Sequence, residues 1–92
     1  MPNGEEKKQA VAIKYEPDRH QAPLVVAKGQ GIIADQILAA AKQHAVPIYQ
    51  NKTLAGMLMA VQLDSQIPPE LYQAVAGVLA YIYRLDQTGP RR

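Results

Sequence analysis

The residues of this chain that could do chemistry are His20, His44, Ser65, the turn Lys28-Gly29-Gln30-Gly31 and the carboxylates Glu5, Glu6, Glu16 and Asp18. Histidine is the side chain whose ordinary pKa falls near neutrality, so it raises proton transfer and metal ligation first. Neither histidine has a ligand four residues after it, and a zinc site asks for three or four ligands. His20 lies in the polar run Asp18-Arg19-His20-Gln21 and reads as a solvated loop residue. His44 closes a helix, where its positive form complements the dipole. Ser65 is the only serine, and no Ser-His-Asp set can be assembled around it. Glu5 and Glu6 belong to a polar leader, while Glu16 and Asp18 flank a proline turn, so neither pair reads as an acid and a base. The chain has no cysteine, which excludes disulfides, thiolate metal sites and Cys nucleophiles. These residues point away from an enzyme, a metal centre and a resident cofactor.

The glycine turn is the one constellation with a ligand in view. Glycines between a strand and a helix can present free N–H groups to an anion. Here neither G-x-G-x-x-G nor the P-loop pattern is completed, and glycines in such a turn also serve backbone geometry alone. A small anion- or nucleotide-binding regulator using Gly29 and Gly31 is the alternative function on these grounds.

Around these residues the chain reads as one small α/β domain. Its length, 92 residues, leaves no room for a second core. Residues 1–8 are a flexible polar leader, residues 9–86 the domain and residues 87–92 a tail, with Gly89-Pro90 ending the ordered part. Ala10-Val-Ala-Ile-Lys-Tyr15 has the β-branched and aromatic content of a strand. Leu24-Val-Val-Ala27 is a second apolar run, continuous rather than alternating, as in a strand covered on both faces. A helix follows over residues 32–44, with Ile33, Ile37, Ala40 and Ala41 as its buried stripe. Val46-Pro-Ile-Tyr49 reads as a short third strand, with Pro47 at its start or on an unpaired side. Asn51 caps a second helix over residues 52–61, and residues 62–66 connect it to the next. Pro68-Pro69-Glu70 opens a last helix whose Leu71, Val75, Val78, Ile82 and Leu85 form a clean stripe. The order is β-β-α-β-α-α. The first two strands pair antiparallel, and the strand–helix–strand stretch makes a right-handed parallel crossover. The expected fold is a small mixed β-sheet covered by helices.

Composition narrows the partners. The formal net charge is +2, equal to the contribution of Arg91 and Arg92 alone, and the other basic residues are scattered among acids. No basic stripe for nucleic acid is present. The longest uncharged apolar run, residues 75–83, falls far short of the roughly 20 residues that span a bilayer. The start, Met1-Pro-Asn-Gly-Glu-Glu-Lys-Lys8, has no apolar segment of the kind a secretory signal carries. The expectation is a cytoplasmic protein that neither enters a membrane nor binds nucleic acid.

Five segments then occur in order: Gln9-Ala-Val-Ala-Ile-Lys-Tyr15, Ala22-Pro-Leu-Val-Val-Ala-Lys-Gly29, His44-Ala-Val-Pro-Ile48, Ile67-Pro-Pro-Glu-Leu-Tyr72 and Val75-Ala-Gly-Val-Leu-Ala-Tyr81. In this register they resemble the cytoplasmic C-terminal domain of the FlhB, YscU and SpaS family of flagellar and type III export-switch proteins. The resemblance covers about residues 9–86. In that family the first strand follows Asn-Pro-Thr-His, a tight turn whose asparagine cyclises and cuts its own backbone. Glu5, Glu6, Lys7 and Lys8 stand in those positions here, so the self-cleavage motif is missing. Asn3-Gly4 lies outside the motif. The family's transmembrane half and the strand before the cleavage turn are not represented, and the chain looks like the released C-terminal fragment made separately.

The resemblance implies a docking domain of the export gate that helps choose which class of subunits leaves, hook and rod first and filament later. Its implied partners are exported flagellar subunits, export-gate proteins and a truncated FlhB, and its implied place is the cytoplasm, docked at the membrane export gate. It also implies a small apolar patch for early subunits, formed here by Ala22, Pro23, Ala76 and Leu79. Ala76 and Leu79, three apart, share a helix face. That face borders the core stripe, so the same two residues could instead widen the buried stripe. The missing motif yields a first prediction. Without a cyclising asparagine the chain stays whole, and intact-mass spectrometry after days at neutral pH should show one full-length species. A break between residues 5 and 6 would contradict it.

Overall fold

Alternation over residues 9–14 puts Ala10 and Ala12 on one face of a strand and Val11 and Ile13 on the other. In the computed structural model, which describes residues 7–88, this stretch is β1 (Gln9–Lys14), paired antiparallel with β2 (Leu24–Gln30) as expected. Most of the expected leader, residues 1–6, and the Gly89-Pro90 stop lie outside the described residues. Glu16 closes the loop between the strands, its carbonyl accepting from the N–H groups of Arg19 and His20 at 2.9 Å.

The register decides what each face carries. Ala10 opposes Gly29, Val11 opposes Lys28 and Ala12 opposes Ala27, and then Ile13 opposes Val25. Val26 is the extra residue of this bulge, and it is exposed. Opposed residues share a face, so Ala10, Ala12, Ala27 and Gly29 form a shallow side, and Val11, Ile13, Val25 and Lys28 a deep one. α1 (Ile32–Gln43) lies on the shallow side, where a Cβ at Gly29 would overlap the Ile33 side chain and Ala34 is fully buried. α2 (Lys52–Leu58) and α3 (Tyr72–Thr88) cover the deep side. The core there joins Val25, Leu54, Leu58, Val61, Ile67 and Val75, with Val11 and Ile13 packed against it.

Local signals explain the helix ends. Gly31 starts α1 at φ 60°, a conformation that favours glycine, and its carbonyl accepts from the Asp35 N–H at 3.0 Å. At the other end Ala45 takes φ 58°, and the N–H groups of Ala45 and Val46 return to the carbonyls of Lys42 and Ala41. That is a Schellman closure with alanine where glycine is usual. Asn51 caps α2 as expected, its Oδ1 accepting from the Leu54 N–H at 3.0 Å. Pro69 begins a 3-10 turn (Pro69–Leu71) that leads into α3.

Several details depart from the sequence reading. Residues 46–50 lie in no strand, so among the described residues the sheet is a two-stranded antiparallel pair and no parallel crossover forms. The Val46 N–H is spent on the α1 closure and Pro47 has none, which leaves little to start a ladder. The segment beside β2 is instead residues 64–67. Val25 exchanges hydrogen bonds with the Ser65 carbonyl at 3.1 Å and the Asp64 N–H at 2.7 Å, and Leu24 bridges Gln66. The α1 stripe is turned by one residue: Ala34 is buried, Ile37, Leu38 and Ala41 are half-buried, and Ile33 and Ala40 are exposed. The run 32–41 is apolar on more than one face, so its periodicity alone does not set the phase. The side chain of Leu85 lies outside the described residues.

α2 ends at Leu58, short of the expected Val61. After it the N–H groups of Ala60 and Val61 turn back to the carbonyls of Met57 and Leu58, and Lys28 Nζ donates to the Met59 carbonyl at 2.8 Å and the Val61 carbonyl at 2.6 Å. The ammonium meets the negative end of the helix dipole and holds the turn after α2 against β2. Lys28→Met keeps the aliphatic stem and removes the donor, leaving two carbonyls without it. The expected loss is about 2 kcal/mol, the scale of hydrogen bonds to a charged donor, read from urea denaturation. An unchanged midpoint would show that water replaces the ammonium.

Candidate functional site

The entry to β2 and the middle of α3 meet at the surface. Ala22 is 1% exposed and belongs to the core, and Pro23 beside it is half-buried. The Pro23 carbonyl accepts from the N–H of the buried Ile67 at 3.0 Å, which anchors this stretch of backbone. On α3, Leu79 is half-buried against the core while Ala76 is exposed. All four line one cleft of about 290 Å³, together with Tyr15, Gln21 and Tyr72. The expected residues therefore come together from two distant stretches of the chain. The alternative, that they only widen the core, describes Ala22 and part of Leu79 but not Ala76.

Tyr15, Gln21 and Tyr72 were not singled out from the sequence. Tyr72 carried a signal, since 72, 76 and 79 step by four and three along one helix face. Tyr15 ends the β1 stretch and Gln21 precedes Ala22-Pro23, and only the fold brings them to α3. Both tyrosines are nearly half exposed, presenting an apolar ring flank and a polar tip. Carboxylates, amines and imidazoles are absent from the described lining, so what the cleft offers is an apolar slot with a tyrosine rim.

The glycine turn is committed elsewhere. Lys28 points to the end of α2, and the Gly31 N–H donates to the Lys8 carbonyl at 2.8 Å. Lys8 Nζ also pairs with Asp35, in the first turn of α1, at 3.0 Å. The Asp35 carboxylate also puts a negative charge in the helix turn that an anion would approach. His44 Nδ1 lies 3.0 Å from the Ala40 carbonyl at the end of α1, and His20 sits in the hairpin loop. Among the described residues no three His, Asp or Glu side chains gather.

Comparison with known proteins agrees in one direction. Residues 7–82 match the model of the FlhB HrpN YscU SpaS family. The chain is 40% identical over 81 residues to uncharacterized protein YlqH of Bacillus subtilis, covering 88% of this chain and 87% of that protein. It is 42% identical over 74 residues to the flagellar biosynthetic protein FlhB of Aquifex aeolicus, covering 79% of this chain and 21% of that protein. The chain thus spans about a fifth of the length of the FlhB proteins it matches. The crystal structure of the cytoplasmic domain of FlhB from Shewanella putrefaciens superposes with a TM-score of 0.83 at 41% identity, over 87% of this chain and 63% of that one.

Proposed function

Because the chain belongs to the FlhB HrpN YscU SpaS family, we propose that it is a non-catalytic docking module of the flagellar, type III export apparatus. Its task on this reading is to recognise export substrates and to take part in switching between their classes. The observation that carries it is the single cleft in which Ala22, Pro23, Ala76 and Leu79 meet. An apolar segment of an exported hook or rod subunit seats a side chain there, against Leu79 and between the rings of Tyr15 and Tyr72. The contact area is small, so binding is weak and reversible, as a switch between substrate classes requires. Among the described residues no helix is long and apolar enough to cross a membrane, and we place the module in the cytoplasm, docked at the gate by its partners.

The anion-binding alternative finds less support, because the ammonium and the N–H group it would use are already hydrogen-bonded. A peptide from an early export subunit should bind with an affinity around micromolar or weaker, the range of small interfaces. Ala76→Glu should remove that binding and leave the circular dichroism and melting curve unchanged, since Ala76 is exposed. Ala22→Glu, by contrast, places a charge in the core and should unfold the chain. If Ala76→Glu binds the peptide as well as the parent, the cleft is not the docking site.

One edge of the sheet bears on the partner. Among the described residues β1 pairs only with β2, so its outer edge presents open N–H and C=O groups. A truncated FlhB that retains its own preceding strand fits this edge by strand addition. Hydrogen exchange at residues 10–15 should slow when a peptide of that FlhB strand is added. Amides that are already protected in the free monomer, and unchanged by the peptide, would remove this mode of docking.

A further inference from the structure

A second cleft, of about 550 Å³, opens on the other flank of α3, between that helix and Tyr49 and Asn51. Gln73, Gly77, Tyr81 and Arg84 line it at steps of four, four and three. They form a stripe rotated by about 100° from Tyr72, Ala76 and Leu79, because neighbouring helix positions differ by that angle. Tyr49 faces Tyr81 edge-on, with ring centroids 5.5 Å apart and planes at 69°.

Three independent features of this cleft have no use within the described chain. Gly77 lies in the interior of α3, where alanine would favour the helix, yet a Cβ there would meet nothing within 4 Å. The space over the helix backbone is left open. Ile48, Tyr49 and Gln50 belong to no helix or strand and make no backbone hydrogen bond to any described residue, while the side chains of Ile48 and Tyr49 are exposed. Open backbone groups beside apolar side chains are what an added peptide strand pairs with. Arg84 is exposed and forms no ion pair with any described residue. It is the only charged group in the described lining, since Asn51 and Gln73 are neutral amides.

We propose that this cleft is a second docking site, for an extended peptide segment of a partner protein in which an apolar or aromatic side chain adjoins a carboxylate. The side chain packs over Gly77, against the edge-on pair of Tyr49 and Tyr81. The carboxylate pairs with the Arg84 guanidinium, whose planar fork suits it. The peptide main chain meets the amides of Asn51 and Gln73 and the open groups of residues 48–50. The site stands apart from the Ala76 cleft and does not depend on that cleft's role.

The test uses the full chain, isotope-labelled for NMR, and three capped heptapeptides: Ser-Val-Tyr-Val-Asp-Asp-Ser, its Asn-Asn counterpart and its Lys-Lys counterpart. The acidic peptide should shift the amides of Tyr49, Gly77, Tyr81 and Arg84. It should bind at least about five-fold more tightly than the Asn-Asn peptide at low salt, with the difference shrinking as ionic strength rises. Arg84→Gln should erase that preference. Gly77→Leu should abolish binding of both peptides while the helix stays intact, because leucine favours a helix and enters empty space. Equal binding of the acidic and amide peptides, shifts centred on Ala22 and Leu79, no binding at all, or undiminished binding to Gly77→Leu would each overturn the proposal.

Discussion

Successive side chains leave a strand on opposite faces, and at Lys28 and Gly29 that constraint positions two helices at once. Gly29 has no Cβ, so α1 can settle onto the strand through Ile33. Lys28, one residue earlier, turns to the other side and spans the gap to the end of α2 with its ammonium. α2 has only seven residues, too few to hold a helix by its own hydrogen bonds. Its Asn51 cap, its tie to Lys28 and the burial of Leu54 and Leu58 take the place of length. Those two leucines share the core with Val75 of α3, so the position of α3 follows from the same pair on β2.

β2 is flanked on both sides, by β1 along its length and by residues 64–67 at its start. The backbone at the entry to β2 is therefore hydrogen-bonded on both edges. Ala22 is buried and Pro23 is tied to Ile67, so one wall of the first cleft is fixed backbone. The opposite wall is a helix face, and the rim is two exposed tyrosines. α3 carries this face and, a hundred degrees round, the stripe that ends at Arg84, so one helix serves two clefts without sharing a lining residue.

The start of β1 has its own arrangement. Family members place a self-cleaving turn before this strand, and here Lys7 and Lys8 stand at its last two positions. Lys8 is bound twice to the start of α1, through its carbonyl to the Gly31 N–H and through Nζ to Asp35. Lys8 thus forms a clasp between strand and helix. The ion pair is exposed on both sides, so the buried contacts of Gly29 and Ala34 hold α1 more than it does.

Much of the molecule was legible in the residues themselves. β-Branched runs marked both strands, Asn51 and Pro69 marked two helix starts, and the step pattern from Leu71 marked α3, all of which depend on nearest neighbours in the chain. The self-cleavage motif's absence is likewise a statement about four consecutive residues. Long-range geometry decided the rest. The phase of α1 depended on which residue Gly29 would admit, and apolar residues on several faces left that open. The Val46–Tyr49 stretch has strand composition, but a strand exists only when a neighbour pairs with it, and residues 64–67 took the place beside β2. Lys28 looked like part of a glycine turn until the alternation of β2 sent its side chain the other way. Tyr15 and Gln21 joined Ala76 because the hairpin folds back onto α3, a contact between positions some sixty residues apart that no local pattern encodes.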